Sequence, residues 1–148
     1  MKSIKLAMFA GALVLLSSGC ASVPLADAGA DANAKTFQVP VDKSAIYVYR
    51  NETFGAAVKM PVVLDGKAMG STAANTYFRW IVDPGQHTII SRTENDAKLT
   101  IDAKPGEDYY VWQEVKMGLW SAGSQLHKVS EAEGRAGVRE CKLIAPYQ

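Results

Sequence analysis

The chain has 148 residues and is nearly neutral, with 16 Lys and Arg against 15 Asp and Glu and a net charge of +1 at pH 7. This length suits one small domain. Proteins that hold nucleic acid carry clustered Lys and Arg, so the composition argues against a nucleic-acid partner.

The first 20 residues have the layout of a secretory signal. Two lysines give a positive start, residues 6–16 are almost wholly apolar, and Ser17-Ser18-Gly19 places small residues before Cys20. This order is typical of a cleaved signal peptide. The apolar stretch is shorter than the roughly 20 residues that span a bilayer. We therefore predict a signal peptide over residues 1–19.

The small residues followed by Cys20 resemble the lipobox of bacterial lipoproteins, with Ser17 standing where Leu is commonest. The resemblance implies cleavage after Gly19, diacylation of the Cys20 thiol, and a further acyl chain such as palmitate on the new amino terminus. Several acyl chains give stable anchoring where one does not. Ala21, rather than Asp, implies by the same resemblance an outer-membrane anchor facing the periplasm. An ordinary secretory signal with an unrelated cysteine is the alternative.

Residues 21–43 are rich in Ala, Asp, Gly and Pro and lack apolar periodicity. With Cys20, this composition predicts a lipidated, flexible tether over residues 20–43, with a typical reach of roughly 25 Å. Phe37 and Val39 are expected to be its first ordered residues. The folded domain is then predicted over residues 44–148.

The domain sequence is dominated by short β-strand patterns, in which β-branched and aromatic residues alternate with polar ones. Asp65-Gly66 predicts a two-residue hairpin turn, and Asp83-Pro84-Gly85 predicts a second turn. No helix-length crossovers separate the strands, which argues against parallel pairing. These patterns predict an antiparallel β-sandwich or partly open barrel of 7–8 short strands. The predicted strands are 45–49, 61–64, 67–72, 76–82, 86–93, 97–103 and 109–117.

One short C-terminal helix is predicted over about residues 131–141. Ser130 and Glu133 have the spacing of a capping box, and Val138 and Cys141 share one helical face toward the sheet. Cys141 is expected to be a buried structural thiol, because an unpaired Cys behaves as a small hydrophobe. Intermolecular disulfide pairing is the alternative.

Aromatic residues concentrate around the strand 109–117 and the turn that follows it. Tyr110, Trp112 and Glu114 alternate with the core-facing positions, and Trp120 follows in the turn. Either the predicted helix covers this face, or exposed Tyr and Trp side chains form a contact surface for a partner. Tyr110, Trp112, Glu114 and Trp120 are therefore the candidate partner surface.

The sequence predicts no catalytic residues, metal site or cofactor. His87 and His127 are forty residues apart, and with Cys141 they have no zinc-ligand spacing. No Gly-x-Ser-x-Gly elbow is present. A thiolate activated by histidine is conceivable at Cys141, but the local sequence does not support it.

Two families resemble this chain. The stretch 62–89, with VVLDGKAMGST followed by VDPGQHTI, looks like a PEGA-type β-module. A longer pattern, comprising IYVYRN at 46–51, VWQEV at 111–115 and ECKL at 140–143, resembles small bacterial lipoproteins catalogued as a domain of unknown function. The second resemblance implies a β-sandwich and an envelope location, and brings no catalytic residue with it.

The leading hypothesis is a lipid-anchored, non-enzymatic β-sandwich in the bacterial envelope that binds a protein or glycan partner. An envelope hydrolase is the first alternative; it requires a pocket in which a histidine approaches Ser, Cys141 or a carboxylate. A small-ligand carrier is the second, and it requires a sizeable apolar cavity.

Overall fold

The computed structural model describes residues 19–147, so most of the predicted signal peptide lies outside the described residues. The described chain is mainly β, with nine strands in two sheets and two short helices. In chain order the elements are α1 (Ala28–Ala34), β1 (Ser44–Arg50), β2 (Met60–Leu64), β3 (Lys67–Thr72), β4 (Thr76–Val82), β5 (Gly85–Ser91), β6 (Ala97–Ala103), β7 (Asp108–Met117), β8 (Ala122–Val129), α2 (Glu131–Arg139) and β9 (Lys142–Leu143).

The two sheets face each other across the main core, which confirms the predicted β-sandwich. The larger sheet has the order β8-β7-β1-β4-β9 and the smaller sheet the order β3-β2-β5-β6. Alternate residues of each strand enter the space between them, as the period of two requires. The buried residues there are Ile46, Val48, Val62, Leu64, Phe78, Trp80, Ile89, Ile101, Ala103, Tyr109, Val111 and Ile144.

Strand β1 is buried along its whole length because both of its faces are covered. Ile46 and Val48 enter the main core, while Tyr47 and Tyr49 enter a second core on the outer side of the larger sheet. A strand covered on one face would alternate with polar residues, whereas this strand reads as a near-continuous apolar run. The larger sheet is therefore the middle layer of three.

The prediction of purely antiparallel strands was wrong for two pairs. β1 pairs in parallel with β7, and β4 pairs in parallel with β9. Parallel neighbours need a long connection, which is usually a helix. Here the connection from β1 to β7 runs through the whole smaller sheet, so no crossover helix is required.

Helix α2 covers the outer face of the larger sheet, as the sequence predicted for a C-terminal helix. Its N-cap Ser130 accepts a hydrogen bond from the backbone N–H of Glu133. Val138 and Cys141 are both buried in the outer core. Gly134 and Gly137 are buried against the sheet, where the missing side chains let the helix backbone lie directly on two tyrosine rings.

The predicted flexible tether differs from the structure. Within residues 21–43, Asp27 caps helix α1 by accepting a hydrogen bond from the Ala30 N–H at 2.8 Å. Asp31 of that helix accepts hydrogen bonds from the Leu143 N–H and the Tyr77 hydroxyl, both at 2.9 Å. The segment packs on the domain because its alanines favour helix and its carboxylates find donors on the sheet edge. Phe37 is buried as expected, but the docked segment begins before it, since Leu25 pairs with Ile144 and α1 precedes Phe37.

The helices are short. Helix α1 has 7 residues and α2 has 9. Among residues 19–147, no helix has both the length and the apolar character that crossing a membrane requires.

Candidate functional site

The four residues of the predicted partner surface do not form one surface. Tyr110, Trp112 and Glu114 alternate along β7 and point to the outer side of the larger sheet, as predicted. Trp120 lies beyond the end of the strand, in the turn that joins β7 to β8. In the structure, Tyr110 is covered, Trp112 and Glu114 are half-buried, and Trp120 lies in an exposed turn.

Tyr110 lies beneath helix α2 and is only 1% exposed. Its hydroxyl donates to Asp108 at 2.6 Å and accepts from the Arg135 guanidinium at 3.1 Å. Burial raises the pKa of Tyr110, and the hydrogen bond to the Asp108 carboxylate adds to that rise. Tyr110 is thus a core residue that joins helix to sheet, and no partner can reach it in this fold.

Trp112 and Glu114 belong to a small cluster with His127 of β8. The rings of Trp112 and His127 are stacked with their centroids 5.1 Å apart. Glu114 accepts hydrogen bonds from Lys116 at 2.6 Å and from the His127 ring at 2.7 Å, and these lower its pKa. The Trp112 indole N–H is buried and finds no hydrogen-bond partner among residues 19–147.

A shallow groove of about 270 Å³ runs between Trp112 and helix α2. Acidic and amide side chains line it beside the aromatic rings, and Asn51 donates to Glu140 across it at 2.8 Å. This combination of flat rings with exposed acceptors and donors suits a polar ligand with apolar faces. The lining residues are Tyr49, Asn51, Trp112, Glu133, Ala136, Gly137 and Glu140.

Trp120 is 91% exposed, and other exposed apolar side chains that the sequence reasoning did not identify lie at the same end of the domain. Met117 and Leu119 in the same turn are exposed, and Phe54 is exposed in the loop between β1 and β2. We call these four residues the apolar end. The sequence does contain a sign of these exposed apolar residues, namely the uncharged run MGLW at 117–120. A hairpin turn is ordinarily polar, so an apolar one is unusual.

Cys20 is exposed and lies close to the loop between β1 and β2. The N–H of Ala21 donates to the Ala56 carbonyl at 2.9 Å, which holds residues 20 and 21 against that loop. The loop is held in turn by the buried Arg50 guanidinium, which donates to the carbonyls of Val58 at 2.8 Å and Gly55 at 2.6 Å. Cys20 is thus attached at a defined point of the domain.

His87 has both ring nitrogens in hydrogen bonds, to the Asp65 carboxylate at 2.6 Å and to the Asp83 carbonyl at 2.7 Å. Burial opposes the charged form, but these hydrogen bonds outweigh it and raise the pKa of His87. A raised pKa in the folded state stabilises the fold below the ordinary histidine pKa, and this stabilisation is lost as the pH rises through the raised value. The arrangement joins the Asp65-Gly66 turn to strand β5 and to the turn that precedes β5.

The other reactive side chains are also engaged in structure. Cys141 is 1% exposed and its thiol donates to the Arg50 carbonyl at 3.6 Å; burial raises its pKa to about 12. Each histidine contacts a carboxylate, as the hydrolase alternative requires. In residues 19–147 neither histidine hydrogen-bonds a Ser, Thr or Cys side chain. That part of the chain also holds no group of three or more His, Cys, Asp or Glu placed for a metal ion.

Two larger clefts flank the C-terminal segment 144–147, with volumes of about 520 and 370 Å³. Both open at the edge where β3 and β9 approach each other, and neither lies among the candidate residues. Met69 and Tyr147 line both of them.

Comparison with known proteins places the chain in a family. Residues 40–125 match the family model described as "Protein of unknown function (DUF2846)". An uncharacterized protein of Haemophilus influenzae (strain ATCC 51907 / DSM 11121 / KW20 / Rd) is 32% identical over 137 residues, which is 91% of this chain and 82% of that protein. No solved structure matches the chain significantly. The matched range contains the whole apolar end and Trp112, and the chain belongs to the DUF2846 family.

Proposed function

We propose that the protein is a lipid-anchored lipoprotein of the bacterial envelope, held in the outer membrane at its periplasmic face by acyl chains on Cys20. The observation that carries this proposal is the placement of Cys20. Its side chain is exposed, and the residue that follows it is hydrogen-bonded to the domain. The lipobox-like sequence before it and Ala21 after it support the same reading.

Substitution Cys20→Ala tests the anchor. We expect loss of the acyl mass in mass spectrometry of the intact protein, and transfer of the protein from the membrane fraction to the soluble fraction. The physical reason is that residues 19–147 contain no membrane-spanning helix, so the acyl chains are the proposed source of stable membrane affinity.

The matched control is Cys141→Ala, which removes the other cysteine of the sequence. Because Cys141 is buried in the outer core, this variant is expected to keep both the acyl mass and the membrane fractionation. Unchanged fractionation of Cys20→Ala would refute anchoring through this residue.

We further propose that the domain acts by binding and not by catalysis. The groove beside Trp112 supports this, because an aromatic face beside Asn51, Glu133 and Glu140 can contact the apolar face and the hydroxyl groups of a sugar. A glycan, or a protein that presents similar groups, is the proposed partner. The pairing of His87 with Asp65 and the burial of Cys141 support structural roles for these residues.

Crosslinking in intact cells tests the binding proposal. We expect the tagged, lipidated protein to enrich a specific envelope component, and Trp112→Ala and Glu133→Ala to lose most of that enrichment. Glu133 is exposed in the first turn of α2, so its substitution should cost no more than about 1 kcal/mol of helix stability. Val41→Ala, at an exposed position before β1 and away from the groove, serves as the control. Equal crosslinking by all variants would refute the groove as the site.

A further inference from the structure

We propose that the apolar end of the domain inserts into the surface of the membrane that holds the acyl chains of Cys20. This inference rests on the proposed function, since it requires an anchored protein, and it adds a second, direct contact between the sandwich and lipid. Met117, Leu119 and Trp120 are 73%, 93% and 91% exposed, and Phe54 is 52% exposed.

Strand pairing places these four residues at one end of the molecule. β1 and β7 run in parallel with Tyr49 opposite Trp112, so both strands leave the sheet in the same direction. The loop after β1 then contacts β7, because Glu52 accepts a hydrogen bond from the Val115 N–H at 2.5 Å. The turn 117–121 begins two residues further on and is closed by the Gly118 N–H donating to the Ser121 carbonyl at 2.9 Å.

The anchor site lies at this same end. The Ala21 N–H is bonded to the Ala56 carbonyl, two residues from Phe54. Consecutive Cα atoms are about 3.8 Å apart, so Cys20 cannot move far from this loop while that hydrogen bond is present. Acyl chains on Cys20 would therefore enter the bilayer next to Phe54 and the turn 117–121. This position makes the lipid bilayer the proposed partner of the apolar end.

The chemistry of the apolar end suits lipid. Trp is enriched at the boundary between lipid and water, where its ring meets both apolar chains and polar headgroups. Residues 117–120 carry no charge themselves. The Glu94 carboxylate accepts a hydrogen bond from the Ser121 hydroxyl at 2.9 Å, so it would have to stay at the level of the headgroups while the turn inserts. Lys59 precedes β2, and Arg92 follows β5 with its N–H donating to the Pro61 carbonyl of β2. Both side chains are exposed there and can meet phosphate headgroups. Large exposed apolar groups of this kind mark interaction sites on soluble domains.

Fluorescence of the acylated, full-length protein in phosphatidylethanolamine–phosphatidylglycerol vesicles tests the inference. The chain has three tryptophans, and the difference between wild type and Trp120→Phe isolates the Trp120 signal. We expect this signal to shift to the blue, to be quenched by lipids brominated on the acyl chains, and to be protected from acrylamide in water.

The control places a tryptophan at the opposite end of β1. Val41 precedes that strand and is 89% exposed, so the double variant Val41→Trp, Trp120→Phe should remain open to acrylamide and unaffected by brominated lipid. If acrylamide still quenches Trp120 fully when the acylated protein is bound to vesicles, this inference is overturned. The turn would then be a candidate contact for a protein partner. If the protein carries no acyl mass and does not float with vesicles, the proposed function fails as well.

Discussion

Substitution Gly134→Ala is expected to lower the free energy of unfolding by about 3 kcal/mol, because overpacking of this kind commonly costs 1–3 kcal/mol. The added methyl group would overlap with Cβ and Cγ of Tyr110, the part of the side chain fixed to the sheet backbone. Tyr110 is itself held by Asp108 and Arg135 and cannot turn away. Helix α2 would have to lift from the sheet, and the outer core would lose contacts.

A loss of stability would be informative, because alanine ordinarily stabilises a helix by about 1 kcal/mol relative to glycine. A fall in melting temperature of roughly 10 °C in thermal unfolding would fit the expected loss. Gly123→Ala is the matched control, since its new Cβ would meet nothing closer than 3.9 Å. Equal stability of the two variants would mean that α2 does not lie as close to Tyr110 as described.

Substitution Arg50→Met is expected to destabilise the domain by about 3 kcal/mol and to open the loop between β1 and β2. The guanidinium is fully buried and donates to three loop carbonyls, those of Phe54, Gly55 and Val58. Methionine can fill the space of the apolar stem, but it leaves these acceptors without a donor. An unpaired buried acceptor costs about 1–3 kcal/mol.

Chemical denaturation measures the stability loss, and hydrogen exchange of residues 51–59 measures the opening of the loop. Arg92→Met is the control, because Arg92 is exposed and pairs with Asp96 at 3.5 Å on the surface; its loss should change stability by less than about 1 kcal/mol. Protected loop amides in Arg50→Met would contradict the role given to this guanidinium. The loop also positions Phe54 and Ala21, so its opening would loosen the anchor as well.

A docked N-terminal segment changes what the proposed anchor can do. A free chain over residues 20–43 would let the domain move roughly 25 Å from the membrane. With α1 bonded to β9 and Ala21 bonded to Ala56, the domain is instead held close to the acyl chains and in one orientation. In the proposed arrangement, the groove beside Trp112 would face a partner from a fixed position, and the apolar end would face the lipid.

Local patterns in the sequence predicted most of the strands. β4 and β6 begin and end where the alternation of apolar and polar residues predicts, and the Asp65-Gly66 turn has both residues at positive φ, 49° and 81°. These features depend on neighbouring residues, whose side-chain period and turn chemistry are visible in one stretch of chain. The capping box at Ser130 is local for the same reason.

Other elements could not be predicted because their causes are distant in the chain. β8 has Gly123 and few β-branched residues, and it becomes a strand by pairing with β7 across eight positions. The N-cap Asp27 and the alternate alanines of α1 are local features, but the docking of this helix depends on Leu143 and Tyr77, more than forty residues away.

The sequence by itself determined the β-rich class, the turn positions, the C-terminal helix and the cysteine expected to carry lipid, since each depends on residues close together in the chain. Only the tertiary structure decided that Tyr110 is covered, that Trp112 borders a groove, and that Cys20 shares one end of the domain with Phe54 and Trp120. These facts depend on which faces meet, and that is set by packing between residues far apart in sequence.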